Sequence, residues 1–231
     1  MPATHLVFDL DDTLYPERSH AVGGFRAAGE WARSALGIEG LEDDLTRHLD
    51  DGRLGQSFVL ALAARRPGYS PDELQSLIRA WREHVPSLAL FPDAARLLER
   101  LDGRPLGLIT DGSAQIQRGK VAALAIARHF HTIVYTGALG PDRAFHKPHP
   151  KSYLMMEAAL GQPGDQFVYV GDNPSKDFVT PNARGWTSVM IVRPEHAGHR
   201  IHKAASVAVG GAPHLKIESL DELAPRLGIT L

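Results

Sequence analysis

The acidic stretch Asp9-Leu10-Asp11-Asp12-Thr13-Leu14 follows Leu6-Val7-Phe8, an apolar run that is typical of a buried strand. Three carboxylates within four residues repel one another, and desolvation at the end of a buried strand raises their pKa values. A divalent cation among them would relieve both costs, and carboxylate oxygens suit Mg²⁺. The stretch therefore predicts a metal site at a strand end, with a carboxylate free for chemistry. A solvated acidic turn that caps the next helix is the alternative.

The composition is that of an ordinary globular protein. The chain has 231 residues, of which 43% are apolar and 23% charged, enough for one large or two small domains. The formal net charge is −2 and no long basic run occurs, which argues against nucleic acid as a partner. The absence of cysteine excludes disulfides, thiolate zinc sites and cysteine nucleophiles, and it fits a reducing compartment.

The first residues have no features of a targeting signal. Residues 1–10 carry no basic run, and Asp9 interrupts their apolar stretch. No apolar stretch in the sequence approaches the length that spans a bilayer. We therefore expect a cytoplasmic protein without a membrane partner, either a monomer or a homodimer.

The strand–helix pattern is interrupted after Leu14. Residues from about 19 to 85 are predicted to be all helical, because apolar side chains recur there at helical spacing. Within this segment, Ser70-Pro71-Asp72-Glu73 has the form of a capping box with proline at the first helical position. A small helical domain over residues 17–87 is therefore expected. It starts beside the acidic stretch, so it could cover that stretch as a lid.

From Phe91 onward, strands and helices alternate. The predicted strands are 6–8, 105–110, 132–135, 166–170, 187–192 and 215–217. The predicted helices are 93–101, 114–125, 150–160, 174–184 and 220–227. Continuous apolar strands separated by helices are typical of a parallel sheet covered on both faces. The expected fold is α/β: a Rossmann-like parallel sheet core from residues 1–16 and 88–231, plus the small all-helical domain.

Further polar residues follow the later strands. Thr110-Asp111-Gly112 ends one strand, and a polar stretch from Gly171-Asp172 to Asp177 ends another. Lys147 lies between them in the stiff loop His146-Lys147-Pro148-His149-Pro150. Because open α/β sheets bind ligands at the carboxyl ends of their strands, we expect these groups to converge on the acidic stretch. Taken singly, each residue also has a purely structural interpretation. Thr110 could be an ordinary strand residue and Lys147 a solvated loop lysine. Asp172 and Asp177 could be helix-capping or surface residues.

In this order, the four segments resemble the motifs of the haloacid dehalogenase-like superfamily of aspartate-nucleophile hydrolases. Asp9-Leu10-Asp11-Asp12-Thr13 resembles the first motif, and Thr110 after Leu108-Ile109 resembles the second. Lys147 resembles the third, and Gly171-Asp172 through Asp177 the fourth. The similarity covers nearly the whole chain. The helical insert resembles the type-one cap of the phosphatase-rich branch.

The resemblance implies a phosphatase that forms an aspartyl-phosphate intermediate. Asp9 would be the nucleophile, and Asp11 would protonate the leaving oxygen and then activate water. A dehalogenase needs no such acid, because halide leaves unprotonated. A carboxylate two residues after the nucleophile therefore favours hydrolysis of a phosphate ester.

The resemblance also implies a cofactor, Mg²⁺. Asp9, the backbone carbonyl of Asp11 and Asp172 would hold the ion, with waters and a substrate oxygen completing its shell. Asp177 would orient Lys147 or a metal-bound water and so support the site from behind.

The phosphoryl group would be bound from the second and third motifs. Thr110 and the backbone N–H groups near Asp111 and Gly112 would bind its oxygens, and Lys147 would neutralise its charge. The family pattern more often has asparagine where this chain has Asp111. A carboxylate there could instead bind a water beside the metal, a substrate hydroxyl or a loop backbone group.

The expected partner is a small phosphorylated metabolite of the nucleotide, sugar phosphate or flavin mononucleotide class. A phosphosugar mutase and a non-catalytic binding or regulatory member are the alternatives within the superfamily. A plain Rossmann-type nucleotide-binding protein would have a Gly-rich turn after the first strand, where this chain is acidic. Three histidines are spaced three residues apart: His196, His199 and His202. They could bind a transition metal, but we prefer the interpretation that they lie in an exposed polar segment.

Overall fold

The computed structural model describes residues 5–161, 164–194 and 206–229. Contacts divide the chain into two compact units. One is helical and contains Glu17–Leu88, and the other contains the described residues up to Pro16 and from Ala89 onward, including the sheet. Among the described residues, none of the helices combines the length and the apolar character that crossing a bilayer requires.

The helical unit is built around one apolar core. Its α-helices are α1 (Glu17–Leu36), α2 (Leu41–Asp50), α3 (Ser57–Arg65) and α4 (Pro71–Glu83). Each helix contributes at least one fully buried side chain to the same cluster, among them Phe25, Leu45, Leu62 and Leu77. Removing this apolar surface from water is what stabilises the unit.

Two sequence signals mark helix boundaries in this unit. α1 ends before Gly37, whose φ of 68° is the left-handed conformation common after a helix C-terminus. At the start of α4, the Glu73 backbone N–H donates to Ser70 Oγ, and the Ser70 N–H donates to the Glu73 carboxylate. The predicted capping box is therefore confirmed.

The second unit contains one six-stranded sheet. Its strands are β1 (His5–Phe8), β2 (Leu106–Thr110), β3 (Phe130–Tyr135), β4 (Phe167–Gly171), β5 (Thr187–Ile191) and β6 (Leu215–Ile217). The spatial order is β3-β2-β1-β4-β5-β6, and every neighbouring pair is parallel. All residues of β1, β2 and β4 are buried, as expected for a sheet covered on both faces. The predicted α/β class and all six predicted strands are confirmed, within two residues at each end.

The order of the strands fixes where a ligand can bind. From β1 the sheet continues through β2 and β3 on one side, and through β4, β5 and β6 on the other. The sheet order therefore reverses between β1 and β4. In open α/β sheets, the crevice at the carboxyl ends of such a pair of strands is the usual binding site. Asp9 follows β1 and Asp172 follows β4, so the strand order itself brings these two carboxylates together.

The helices of this unit are α5 (Pro92–Arg100), α6 (Ala114–Ala123), α7 (Lys151–Leu160), α8 (Val179–Ala183) and α9 (Leu223–Leu227). The helix predicted over 174–184 is wrong for its first half, since only α8 is helical. Asn173 is the reason. Its side-chain oxygen accepts hydrogen bonds from the Ser175 backbone N–H and hydroxyl, and these bonds hold a turn in place of a helix.

Candidate active site

The nucleophile candidate lies directly after β1. The Asp9 backbone N–H donates to the Val170 carbonyl of β4 at 2.8 Å. This bond continues the parallel pairing of β1 and β4 by one residue, so the position of Asp9 is set by the sheet. The residue is only 3% exposed. A carboxylate so placed is held rigidly at the carboxyl edge of the strands.

Lys147 brings a positive charge to this carboxylate. Its Nζ lies 2.6 Å from Asp9 Oδ1, 2.8 Å from Asp177 Oδ1 and 3.0 Å from the hydroxyl oxygen of Tyr169. The Lys147 side chain is completely buried, which excludes the alternative of a solvated loop lysine. Burial alone would lower its pKa, but Asp177 and Asp9 raise the pKa well above its ordinary value. Lys147 is therefore a fixed cation between two carboxylates.

Three carboxylates form a cluster around this point. Asp9, Asp172 and Asp177 each offer an oxygen, and these oxygens lie within 4.8 Å of one another. Glycine at position 171 makes room for this arrangement, because a Cβ there would lie 2.6 Å from Asp177 Oδ2. Asp177 Oδ2 also accepts a hydrogen bond from the Asn173 backbone N–H at 2.9 Å. The turn after β4 thus directs two carboxylates towards the one that follows β1.

The donor set fits a hard divalent cation. Burial raises the pKa of Asp9 from 3.8 to about 7, although the Lys147 ammonium lowers it. A cation among the three carboxylates would reduce that penalty, and an all-oxygen donor set suits Mg²⁺. Among the described residues, the cluster includes the carboxylate of Asp177 and not that of Asp11. The predicted ligand atom of Asp11 is its backbone carbonyl and not its carboxylate.

The Asp11 carboxylate points to α6. Its Oδ1 accepts hydrogen bonds from the Tyr15 hydroxyl and from Lys120 Nζ, both at 2.6 Å. Its Oδ2 accepts one from Gln117 Nε2 at 2.8 Å. Burial by itself raises the pKa of Asp11, but the Lys120 ammonium and these hydrogen bonds outweigh burial and hold the pKa below its ordinary value. The residue after it, Asp12, has a φ of 53°, which turns the chain away from the strand.

The second predicted motif lies at the end of β2. Thr110 is fully buried, and its hydroxyl oxygen accepts a hydrogen bond from Gln117 Nε2. Because that bond uses an oxygen lone pair, the hydroxyl proton is available to a phosphoryl oxygen. Gly112 has a φ of 118°, a conformation that side chains rarely adopt. The turn can therefore expose backbone N–H groups to an anion, as the sequence predicts.

Asp111 binds protein groups with both carboxylate oxygens. Oδ1 accepts hydrogen bonds from the Thr136 hydroxyl at 2.8 Å and from the Lys147 backbone N–H at 3.1 Å, and Oδ2 lies 3.2 Å from Lys176 Nζ. Burial raises the pKa of Asp111, but Lys147 and Lys176 outweigh burial and hold it below its ordinary value. Of the roles open to this residue, the structure supports binding of a loop backbone group. The Asp111 side chain is therefore not available to bind phosphate, and the predicted contact is left to backbone N–H groups near it.

Sequence reasoning missed four polar side chains of this site: Tyr15, Gln117, Lys120 and Lys176. Gln117 and Lys120 are three residues apart in α6, so they share one helix face. That helix starts four residues after Thr110, so its first turns had to lie at the same sheet edge. The short distance in sequence between Thr110 and α6 was therefore a signal that polar residues of this helix could belong to the site. The predicted segment with His196, His199 and His202 lies outside the described residues.

The comparisons with known proteins agree with this geometry. A family model described as haloacid dehalogenase-like hydrolase matches residues 3–178. Glyceraldehyde 3-phosphate phosphatase of Methanopyrus kandleri is 30% identical over 200 residues, covering 81% of this chain and 83% of that protein. Phosphoserine phosphatase of Thermus thermophilus is also 30% identical, covering 82% of this chain and 90% of its own. A solved HAD-hydrolase from Bacillus subtilis, bound to magnesium, is 18% identical and covers 99% of this chain and 100% of its own with a TM-score of 0.67.

Fold and site together define an α/β enzyme with a buried carboxylate–lysine centre at a strand end. The chain belongs to the haloacid dehalogenase-like hydrolase family, because the family model matches most of its length. Its curated relatives include phosphatases. The solved structures are too distant in sequence to show more than the shared fold.

Proposed function

We propose that the protein is a Mg²⁺-dependent phosphatase that hydrolyses a small phosphate monoester through an aspartyl-phosphate on Asp9. The observation that carries the proposal is the contact of Asp9 with Lys147, 2.6 Å apart, inside the cluster with Asp172 and Asp177. An anionic nucleophile can approach an anionic phosphoryl group only where positive charge offsets their repulsion. A buried lysine and a site for a divalent cation supply that charge.

In the first step, Asp9 attacks phosphorus. Because Lys147 holds Oδ1, we assign Oδ2 as the attacking oxygen. The new bond joins Oδ2 to phosphorus while the ester P–O bond breaks, and the proton of Asp11 goes to the leaving oxygen. The Thr110 hydroxyl and the N–H groups near Gly112 donate to the phosphoryl oxygens, whose negative charge Lys147 offsets.

In the second step, water hydrolyses the aspartyl-phosphate. The Asp11 carboxylate takes a proton from the water molecule, whose oxygen bonds to phosphorus as the bond to Asp9 breaks. Inorganic phosphate is released and Asp11 is again protonated for the next turnover. Lys120 and the hydrogen bonds of Asp11 favour its charged form, which this step requires and which the first step restores when the proton passes to the leaving oxygen.

The same proposal includes the cofactor. Asp9, Asp172 and the Asp11 backbone carbonyl would hold Mg²⁺, which when bound adds positive charge beside the phosphoryl oxygens. Asp177 lies 2.8 Å from Lys147 Nζ, the distance that the proposed orienting role requires. A second role for Asp177, as a ligand, is compatible with its place in the carboxylate cluster.

The substrate class is proposed from the relatives. Their names specify glyceraldehyde 3-phosphate and phosphoserine, which are small phosphorylated metabolites. We propose a substrate of this general kind, which includes sugar phosphates, nucleotides and flavin mononucleotide. We also propose that the helical unit is the type-one cap that selects among them, as the resemblance implies.

The test is release of inorganic phosphate from a panel of monoesters in the presence of Mg²⁺. The panel contains glyceraldehyde 3-phosphate, phosphoserine, a hexose phosphate, a nucleoside monophosphate and flavin mononucleotide. Stoichiometric release of phosphate and dephosphorylated product from any member supports the proposal. Conversion of a hexose phosphate to its isomer without free phosphate would identify a mutase instead. No reaction of folded, Mg²⁺-loaded protein with any member or with an aryl phosphate would favour a non-catalytic protein.

A further inference from the structure

The hydrogen bonds of Asp11 distinguish its two oxygens. Oδ1 accepts from both Tyr15 and Lys120, which fills the acceptor sites of a carboxylate oxygen. Oδ2 accepts only from Gln117 among the described residues, so it keeps one acceptor site for a proton. Oδ2 is therefore the oxygen that is placed to exchange a proton with a leaving group or a water.

Gln117 connects this oxygen to the phosphoryl-binding turn. Its Nε2 donates both to Asp11 Oδ2 and to Thr110 Oγ1. Oδ2 is consequently on the side of the carboxylate that faces the end of β2. Gln117 is 2% exposed, so water does not compete for its amide. One amide group thus sets the separation between the proposed acid and the proposed phosphoryl-binding hydroxyl.

Lys120 fixes the opposite oxygen. It is 4% exposed, and its Nζ lies 2.6 Å from Asp11 Oδ1 and 5.8 Å from the centre of the Tyr15 ring. Placing an ammonium group inside a protein is costly unless an anion accompanies it. The ion pair with Asp11 offsets that cost. Together with Gln117 at the other oxygen, it fixes the plane of the carboxylate, because turning that plane would break both contacts.

We propose that Lys120 and Gln117 are positioning residues that hold Asp11 with Oδ2 towards the reacting phosphoryl group. Lys120 acts through Asp11, and Gln117 acts through Asp11 and, by its second hydrogen bond, through Thr110. The inference rests on the proposed function, because Asp11 has an acid and base role only in that reaction. It extends the function by assigning the proton-transferring oxygen and the helix face that fixes it.

The experiment is a double-mutant cycle with single-turnover kinetics. Lys120→Met and Gln117→Met are each made in the wild type and in Asp11→Asn. Release of the phenol from 2,4-dinitrophenyl, 4-nitrophenyl and phenyl phosphates is followed in the presence of Mg²⁺ in each variant. Lys216→Met, at an exposed lysine of β6, is the matched control. The thermal midpoint of each variant establishes that it is folded, and Gln117→Met serves if Lys120→Met does not fold.

Four results are expected. In the wild type, each substitution slows release of phenol from phenyl phosphate by about 10²-fold, because misplacing a catalytic group by 1 Å has effects of this size. The loss is smaller with the 2,4-dinitrophenyl ester, whose leaving group needs no proton. In Asp11→Asn, Lys120→Met changes the rate by less than about threefold, because the group through which it acts is gone, and Gln117→Met causes a smaller loss than in the wild type, because only its bond to Thr110 still matters. Lys120→Arg recovers part of the loss, because it keeps the charge.

Three results would overturn the inference. Equal losses for the three esters would indicate a general structural effect. A loss as large in the Asp11→Asn background as in the wild type would mean that the residue does not act through Asp11. Wild-type rates in both single variants would mean that Asp11 needs no positioning. If the wild-type enzyme released phosphate neither from these esters nor from any member of the monoester panel, the proposed function would fail as well, which separates the two failures.

Discussion

Lys147 Nζ donates a hydrogen bond to Asp9 Oδ1 across 2.6 Å, and neither group is open to water. The same ammonium lies 2.8 Å from Asp177 Oδ1. One cation thus keeps two carboxylates close together in the protein interior. This contact links the stability of the site to its proposed chemistry, since the charge that holds the carboxylates is the charge that a phosphoryl group would need.

Lys147→Met should therefore impair both stability and turnover. Without metal, the free energy of unfolding should fall by about 3–5 kcal/mol, because the carboxylates lose their buried partner. Phosphate release should fall by about 10²–10³-fold, the usual effect of removing one group that stabilises transition-state charge. Urea unfolding and phosphate release measure the two effects, with Lys216→Met as the control. A variant with wild-type turnover would show that Lys147 has no catalytic role.

Mg²⁺ should stabilise the protein through Asp172. At a free concentration 100 times its Kd, an ion that binds only the folded state adds about 2.7 kcal/mol to the free energy of unfolding. Asp172→Asn should lose most of this gain, because the carboxylate cluster of Asp9, Asp172 and Asp177 loses one charged ligand. Thermal unfolding at increasing Mg²⁺ measures the effect independently of activity. An unchanged response to Mg²⁺ in Asp172→Asn would place the ion elsewhere.

Asp111 should tolerate asparagine better than alanine. Asparagine keeps an oxygen to accept the hydrogen bonds from Thr136 and the Lys147 backbone N–H, and it loses only the contact with the half-buried Lys176. Alanine leaves both donors without their acceptor, which costs about 1–3 kcal/mol for a buried group. We expect near wild-type turnover in Asp111→Asn. In Asp111→Ala we expect lower stability and a loss of turnover of about tenfold or more. A tenfold loss corresponds to an increase of about 1.4 kcal/mol in the activation free energy.

Unfolding titrations and phosphate release on the two variants provide the measurement. If Asp111→Asn were as inactive as Asp111→Ala, the negative charge itself would be required. The contact of Asp111 with Lys176 would then matter more than its contact with the loop that carries Lys147.

The ion pair of Asp93 and Arg193 should make stability depend on pH. Arg193 Nη1 lies 3.0 Å from Asp93 Oδ2, Arg193 Nη2 donates to the Thr13 carbonyl, and the Leu220 N–H donates to Asp93 Oδ2. Burial raises the pKa of Asp93, but Arg193 and the backbone donors outweigh burial and hold the pKa below its ordinary value. The stabilisation is therefore complete above the unfolded pKa of about 3.9, and it is lost as the pH falls towards the lower folded pKa.

Asp93→Asn isolates this contribution. At pH 7 the variant should be less stable by about 3–5 kcal/mol, because the buried Arg193 loses its anion. The difference in the free energy of unfolding between the variant and the wild type should be constant from pH 7 to about 5. It should become smaller below about pH 4. Urea unfolding at a series of pH values gives both quantities. A difference that is the same at pH 7 and at pH 3.5 would contradict the assigned role of the ion pair.

The sequence was informative where the chain alternates strongly between apolar strands and polar strand ends. Leu6-Val7-Phe8 before Asp9, and Phe167 to Val170 before Asp172, identified buried strands and the carboxylates that follow them. Because parallel strands share one carboxyl edge, the predicted site residues converge as the topology requires. The spatial order of the strands could not be predicted from the strands themselves, since it depends on how the crossover helices pack.

The side chains around Asp11 and Asp111 could not be predicted in the same way. The contact between Lys120 and Asp11 joins residues 109 positions apart, and it depends on the direction of α6 relative to β1. The predicted helix over 174–184 failed for a local reason. Asn173 accepts hydrogen bonds from Ser175 that compete with those of a helix, and sequence periodicity does not detect such competition.

The central claim is that Asp9 is the nucleophile of a metal-dependent phosphatase. The most direct measurement is phosphate release from p-nitrophenyl phosphate by the wild type and by Asp9→Asn, each with Mg²⁺ and with a chelator. We expect release by the wild type only with Mg²⁺ and no detectable release by folded Asp9→Asn, which lacks the nucleophile. Turnover by Asp9→Asn at the wild-type rate, or wild-type release that persists in the chelator, would contradict the account.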